Sequence, residues 1–221
     1  MEGNEEMKEC VIIGAGDVNA EKLSEFKKIF MIAADGGYVN LIRMHKTPDV
    51  LIGDFDSLLE AGISEEMLPM NQFEICRLPC EKDETDILAA IKHGMKLGYN
   101  KFHIFGGTGD RIDHIFANIQ CLTFLANHGC EALLYGMDFE ACVLKDSVMK
   151  FKEDTQGTVS IFCLGETAQG VTLEGLKYPL NDVVLNYDDP IGVSNEFIGK
   201  KSSIRVKKGL LLIIRYYSKK M

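Results

Sequence analysis

Four short segments place acids where apolar runs end. "ADGG" gives Asp35, "GDFDS" gives Asp54 and Asp56, and "EKDETD" gives Asp83 and Asp86. "GGTGDRIDH" gives Arg111 and Asp113 behind Gly106, Gly107 and Gly109. In "LIGDFDSL" an extended backbone would send the carboxylates of Asp54 and Asp56 to one side. Carboxylates gathered this closely must protonate, splay apart or share a cation. Mg²⁺ suits them, because it is a hard ion usually held by a few carboxylates plus substrate phosphates. The glycine loop supplies the complementary part. Its small residues let backbone N–H groups approach an oxyanion, a helix start lies behind it, and Arg111 offers a bidentate fork. Singly, each acid also has a plain reading: Asp35-Gly36 as a turn, Asp83 as a helix N-cap, Asp86 as a first-turn charge. Together the residues reach a Mg²⁺-dependent site for a nucleoside polyphosphate, and no particular reaction.

Strand ends are the right place for such a site, since ligands of α/β sheets bind beyond the carboxyl ends of the strands. Six apolar runs read as buried strands: "CVIIGA", "IFMIAAD", "DVLIGDF", "FEICRL", "KFHIFGG" and "CEALLYG". Between them, "AEKLSEFKK", "GYVNLIRMHK", "ETDILAAIKHGMKLG" and "RIDHIFANIQCLTFLANHG" carry helical spacing. The expected apolar faces are Val39, Ile42 and Met44 on the second helix, and Leu88, Ile91 and Met95 on the third, which Gly98 stops. On the fourth they are Ile112, Ile115, Phe116, Ile119, Leu122 and Phe124. After about Asp138 only short β runs remain, split by turns. The expected fold class is therefore α/β: an N-terminal, mostly parallel sheet with helices on both faces (Rossmann-like), followed by a C-terminal all-β sandwich or barrel. The boundary falls between residues 136 and 146, giving domains 1–140 and 141–221.

The chain of 221 residues carries a net charge of −9. That balance argues against nucleic acid or an anionic membrane surface as a partner. It leaves room for a polyphosphate, for which a metal supplies the positive charge. Seven cysteines, with no C-x-x-C pair, sit mostly in apolar runs and read as reduced thiols. The N-terminus lacks an apolar signal core and "GLLLII" is too short to span a bilayer, so a soluble, cytoplasmic protein is expected.

Two rival motifs compete. "GAGDVN" fails as a dinucleotide fingerprint, because Asn19 stands at the third glycine position. "DFDS" resembles the aspartyl nucleophile of haloacid-dehalogenase-type phosphatases. That motif normally ends the first strand, whereas two strands precede it here, and Leu58 stands where a hydroxyl residue is usual. His114, beside Asp113, reads either as a phosphate contact or as surface.

The ordered set "ADGG", "GDFDS", "EKDETD" and "GGTGDRIDH", with the β-rich tail, resembles the thiamin pyrophosphokinase family over nearly the whole chain from about residue 10. The resemblance implies transfer of a pyrophosphoryl group from ATP to the thiamin hydroxyl, giving thiamin diphosphate and AMP. It implies a homodimer with active sites between subunits, ATP and metal on the first domain and thiamin held with help from the second. It places Asp54, Asp56 and Asp86 at the Mg²⁺ positions, and Asp35, Asp83 and Asp113 at the other acidic positions. Asp35, Gly36, Gly107, Thr108, Gly109 and Arg111 fall at ATP-binding positions. "GLKYPL" and "GVSN" nominate Tyr178, Ser194 and Asn195 for thiamin. Two positions depart from the family pattern: Tyr178 where Trp is common, and Asp110 where Gly is common. A thiamin- or nucleotide-binding protein without turnover is the non-enzymatic alternative.

Overall fold

The computed structural model describes residues 7–69, 71–79 and 83–217. Cys80 and the Glu81-Lys82 start of "EKDETD" lie outside the described residues. The chain forms two compact units. One runs to Cys121 and resumes at Gly129–Met137; the other takes Leu122–His128 and the chain from Asp138 onward.

Up to residue 135 the chain alternates strand and helix: β1 Glu9–Ile13, α1 Ala20–Leu23, β2 Phe30–Ala34, α2 Gly37–Arg43, β3 Val50–Gly53, α3 Asp56–Glu60, β4 Glu74–Arg77, α4 Asp86–Lys96, β5 Lys101–Phe105, α5 Ile112–Asn127 and β6 Glu131–Tyr135. The strands pair in parallel in the order β6-β5-β1-β2-β3-β4. β1 and β5 are buried almost throughout, which is why they read as apolar runs, broken in β5 only by His103, whose ring nitrogens pair with Tyr135 and Glu9. The order turns outward in both directions from the β1–β5 pair. A crevice therefore opens beyond their carboxyl ends.

The helices differ from expectation in detail. α1 is a single turn, closed where the Ser24 hydroxyl donates to the Glu21 carbonyl and diverts the backbone. α2 buries Tyr38 and Leu41 and leaves Ile42 exposed, because Gly37 seats its first turn against the Ile13 carbonyl. α4 buries Ile87, Ala90, Ile91 and Gly94, with Leu88 and Met95 only half-buried on its flanks. Small residues win this face, since a Cβ at Gly94 would lie 2.8 Å from the Phe102 ring. Gly98, at φ +82°, stops that helix as its position predicts. On α5, Ile112 is 82% and Phe116 53% exposed, whereas Asn118, Cys121, Leu122 and Leu125 are buried.

The second unit holds two antiparallel sheets. β7 Phe139–Lys145, β9 Thr158–Cys163, β12 Asn195–Glu196 and β14 Leu210–Tyr216 pair in the order β12-β9-β14-β7. β8 Val148–Phe151, β10 Thr167–Glu174, β11 Leu180–Asn186 and β13 Ser202–Arg205 pair in the order β11-β10-β13-β8. β10 meets β14 and β11 meets β9, closing a core of Val171, Leu173, Ile204, Ile161, Leu211 and Ile213. Among the described residues no helix is long and apolar enough to cross a membrane.

Candidate active site

A cleft of about 370 Å³ opens at the β1–β5 crevice of the first unit. Five strand ends reach it: Gly14–Gly16 after β1, Asp35 and Gly36 after β2, Ser57 after β3, Thr85 and Asp86 at the start of α4, and Gly106–Arg111 after β5. All six residues nominated for ATP therefore line one cavity, with His114 and the departure Asp110 beside them.

The carboxylates of Asp35, Asp54 and Asp56 each offer an oxygen within 4.8 Å of the others. Strand alternation is not what gathers the last two. Phe55, between them, is buried in the left-handed region at φ +70°, and Asp56 already begins α3. The Asp56 backbone N–H donates to Asp54 Oδ1 at 3.3 Å, and the Ser57 N–H and hydroxyl both donate to Asp56 Oδ1. A bulky residue at positive φ costs on the order of 1–3 kcal/mol and persists only where its surroundings over-determine it. Here the buried ring anchors the turn while both flanking acids face the trio.

Burial acts to raise the Asp56 carboxyl, but the Ser57 hydrogen bonds and neighbouring carboxyl contacts outweigh it and hold the group below its ordinary value. Asp35 behaves oppositely. It is 2% exposed, its Oδ1 has no hydrogen-bond partner, and burial pushes its carboxyl up. The charges of Asp86 and Asp56 add to that rise, against hydrogen bonds from Ser57 and Gly36. An orphaned buried oxygen beside two further carboxylates is what a hard divalent cation would satisfy, so these residues fit Mg²⁺. A folded-state pKa above the unfolded value gives stability that is lost as pH rises through it. Asp35→Asn keeps the shape, and Asn tolerates the φ of +42° found there. This variant is expected to melt higher than wild type near neutral pH when metal and nucleotide are absent, and to show a flatter midpoint-against-pH curve. Calorimetry on chelator-treated protein reads this, and an equal or lower midpoint counts against an uncompensated Asp35.

Asp86 lines the same cleft, and its charge reaches Asp35, although it stands outside the close trio. Thr85, not Asp83, caps α4: its hydroxyl accepts from the Leu88 N–H at 3.3 Å. Asp83 is exposed in the preceding loop. Arg111 is 69% exposed and forks onto Asp113, its Nε and Nη2 donating at 3.2 and 2.6 Å. That guanidinium holds the Asp113 carboxyl down to about 2.

No motif marks Gly14 and Gly16, whose fingerprint fails, yet both line the cleft, and the β1 loop is hydrogen-bonded along the β5 loop. Gly14 N–H donates to Phe105 O, Gly16 N–H to Gly106 O and Asp17 N–H to Thr108 O. Asn40 Nδ2 donates to Gly14 O and Gly16 O from α2. Buried Asn118 donates to Gly107 O at 2.7 Å and fixes the glycine loop from α5. A polar residue on the buried face of an apolar helix was the available signal.

In the second unit the three thiamin candidates lie together. Asn195 is buried; its Oδ1 accepts from the Tyr178 N–H at 2.9 Å and its Nδ2 donates to Tyr178 O at 2.7 Å. Tyr178 is 56% exposed, with the Lys177 ammonium 5.4 Å from its ring centroid. Ser194, at φ +58°, donates its N–H to the Ser160 hydroxyl.

A parallel sheet with an acidic, glycine-lined cleft beyond its strand ends, together with an antiparallel β unit, defines an α/β protein of two units. Comparison with known proteins narrows that class. The family model described as "Thiamin pyrophosphokinase, catalytic domain" matches residues 22–134, and "Thiamin pyrophosphokinase, vitamin B1 binding domain" matches 147–211. The chain belongs to the thiamin pyrophosphokinase family. It is 28% identical over 188 residues to the thiamine pyrophosphokinase of Bacillus subtilis, covering 83% of this chain and 86% of that one. The crystal structure of a Bacillus subtilis thiamine pyrophosphokinase superposes with a TM-score of 0.84 at 26% identity, over 96% of this chain and 100% of that one. The yeast thiamin pyrophosphokinase shares the fold, with a TM-score of 0.78 at 16% identity over 97% of this chain and 88% of that one.

Proposed function

We propose that this chain carries out its family's reaction: Mg²⁺-dependent transfer of a pyrophosphoryl group from ATP to the hydroxyethyl oxygen of thiamin, releasing thiamin diphosphate and AMP. The observation that carries this reading is a three-carboxylate nest, Asp35, Asp54 and Asp56, whose Asp35 lines the same cleft as the glycine loop. Loop amides at Gly107–Gly109 and the Arg111 guanidinium bind and orient the phosphates, with Asp113 holding Arg111 in place. Asp54, Asp56 and Asp86, backed by Asp35, would hold Mg²⁺, which when bound supplies charge neutralisation for the phosphate chain. Phosphoryl transfer asks mainly for positioning and charge stabilisation, and these residues provide both. One of two acids in the segments that enter the cleft, Asp83 before Thr85 or Asp113 after Arg111, takes the thiamin hydroxyl proton. Tyr178 offers the thiazolium cation an aromatic face, with Ser194 and Asn195 shaping that pocket.

The finer picture belongs to the same proposal: a Rossmann-like first domain covered by helices on both faces (1–140), a thiamin-binding and dimerising second domain (141–221), and a cytoplasmic homodimer with active sites between subunits. The exposed Ile112 and Phe116 on α5 support pairing, since large apolar side chains one turn apart favour a covered surface. Nucleotide product tests the reaction. AMP should appear one-for-one with thiamin diphosphate. Release of ADP, or of free phosphate through Asp54 as nucleophile, would replace this reading with a kinase or a phosphatase; tight binding without turnover would replace it with a sensor.

A further inference from the structure

Away from the cleft, Glu74, Cys76 and His93 bring a carboxylate oxygen, a sulfur and an imidazole nitrogen within 4.8 Å of one another. The geometry points to a second metal site here, for a borderline-soft divalent ion of the Zn²⁺ type, clipping the edge strand β4 to α4. None of the three residues lines the cleft.

The placement follows from the elements. Glu74 and Cys76 are two apart on β4 and so share one face of the strand. β4 ends the run of parallel strands, and α4 carries His93 in its last turn. Cys76 Sγ lies 3.3 Å from Glu74 Oε1 and 4.0 Å from His93 Nδ1. With Zn–S near 2.3 Å and Zn–N near 2.0 Å, a tetrahedral centre sets its sulfur and nitrogen ligands roughly 3.5 Å apart. The two observed separations bracket that value, so small side-chain rotations complete three ligands and leave a fourth position for water.

The donor set decides the ion. Mg²⁺ and Ca²⁺ take oxygen ligands, whereas thiolate with imidazole selects Zn²⁺ and its neighbours. His93 Nε2 is buried and has no hydrogen-bond partner. Nδ1 is the nitrogen that faces Cys76 and the one placed to coordinate. Without metal the Cys76 thiol is pushed up to about 11, by burial first and Glu74 second. It is protonated at neutral pH, and binding must release that proton. The clip would join β4 to the helix whose first residues, Thr85 and Asp86, line the cleft.

Co²⁺ titration of the full-length, chelator-treated protein tests the site. One equivalent should produce the near-ultraviolet thiolate-to-cobalt band and intense visible bands of a tetrahedral centre, and Zn²⁺ should bleach both. Cys76→Ser should abolish the thiolate band. His93→Gln and exposed Glu74→Gln should each weaken binding ~10-fold or more while the protein stays folded, a size typical of disturbed metal shells. Zn²⁺ should raise the melting midpoint of wild type by more than that of Glu74→Gln at the same metal concentration. No thiolate band, a band that survives Cys76→Ser, or displacement of Co²⁺ by millimolar Mg²⁺ would overturn the assignment; the last would place the ion on the aspartates of the cleft.

Discussion

Asp54→Asn is expected to lower the turnover of thiamin diphosphate formation by ~10²-fold or more, because that is the scale of preorganised electrostatic and metal contributions to such reactions. Asn keeps the volume of Asp and can still accept the Asp56 N–H, so the local turn survives. What it loses is one negative charge from a nest where three carboxylates lie within 4.8 Å. Removing a charge from that nest relieves repulsion, so the ligand-free fold should be no less stable than wild type. Loss of activity with retained or raised thermal stability is thus the expected signature, together with a Mg²⁺ requirement shifted to higher concentration. Steady-state rates measured over a Mg²⁺ series, beside a melting curve, read both. Activity within a few-fold of wild type would reduce Asp54 to a turn residue.

The inner strands were legible because parallel strands buried on both faces are largely apolar, as β1 is, and as β5 is apart from His103. Helix faces were less so. In α4 the residues nearest the sheet are Ala90 and Gly94, chosen for closeness, and a scan for large apolar side chains picks Leu88 and Met95 on the flanks instead. In α5 the same scan counts Ile112 and Phe116, which face solvent within one chain. The acids were visible one by one, but their assembly depends on left-handed backbone at Asp35 and at Phe55, a bulky residue type that disfavours it. A Phe at φ +70° and an Asp at φ +42° are set by tertiary packing, which a local pattern does not carry. The pairing of the β1 and β5 loops is a contact between segments about ninety residues apart, and "GAGDVN" read alone shows only that it is not a dinucleotide fingerprint.

That pairing sets the second large effect. Gly16→Ala would place a Cβ 2.0 Å from the Thr108 carbonyl oxygen and 2.9 Å from that of Gly106. Both obstacles are backbone, so no side chain can swing away. The β1 loop cannot easily retreat either, because Asn40 holds the Gly14 and Gly16 carbonyls from the other side. The glycine loop must move by an ångström or more, breaking the Gly16–Gly106 and Asp17–Thr108 hydrogen bonds that set its height. Overpacking of this kind costs ~1–3 kcal/mol. A displacement near 1 Å at a positioning loop can cost ~10²-fold in rate. Gly16→Ala is therefore expected to lower the melting midpoint and to weaken both ATP binding and turnover. Gly62→Ala is the control: Gly62 has φ +78° and nothing within 4 Å of the added Cβ. It should cost ~1 kcal/mol of backbone strain and leave the kinetics unchanged. If both variants lost similar stability and neither lost ATP affinity, the β1 loop would be a passive turn and the phosphate cradle would stand on Gly106–Arg111 alone. If Gly16→Ala loses affinity well beyond its loss of stability, the two loops act as one binding element, and the glycines after β1 belong to the site as much as the acids do.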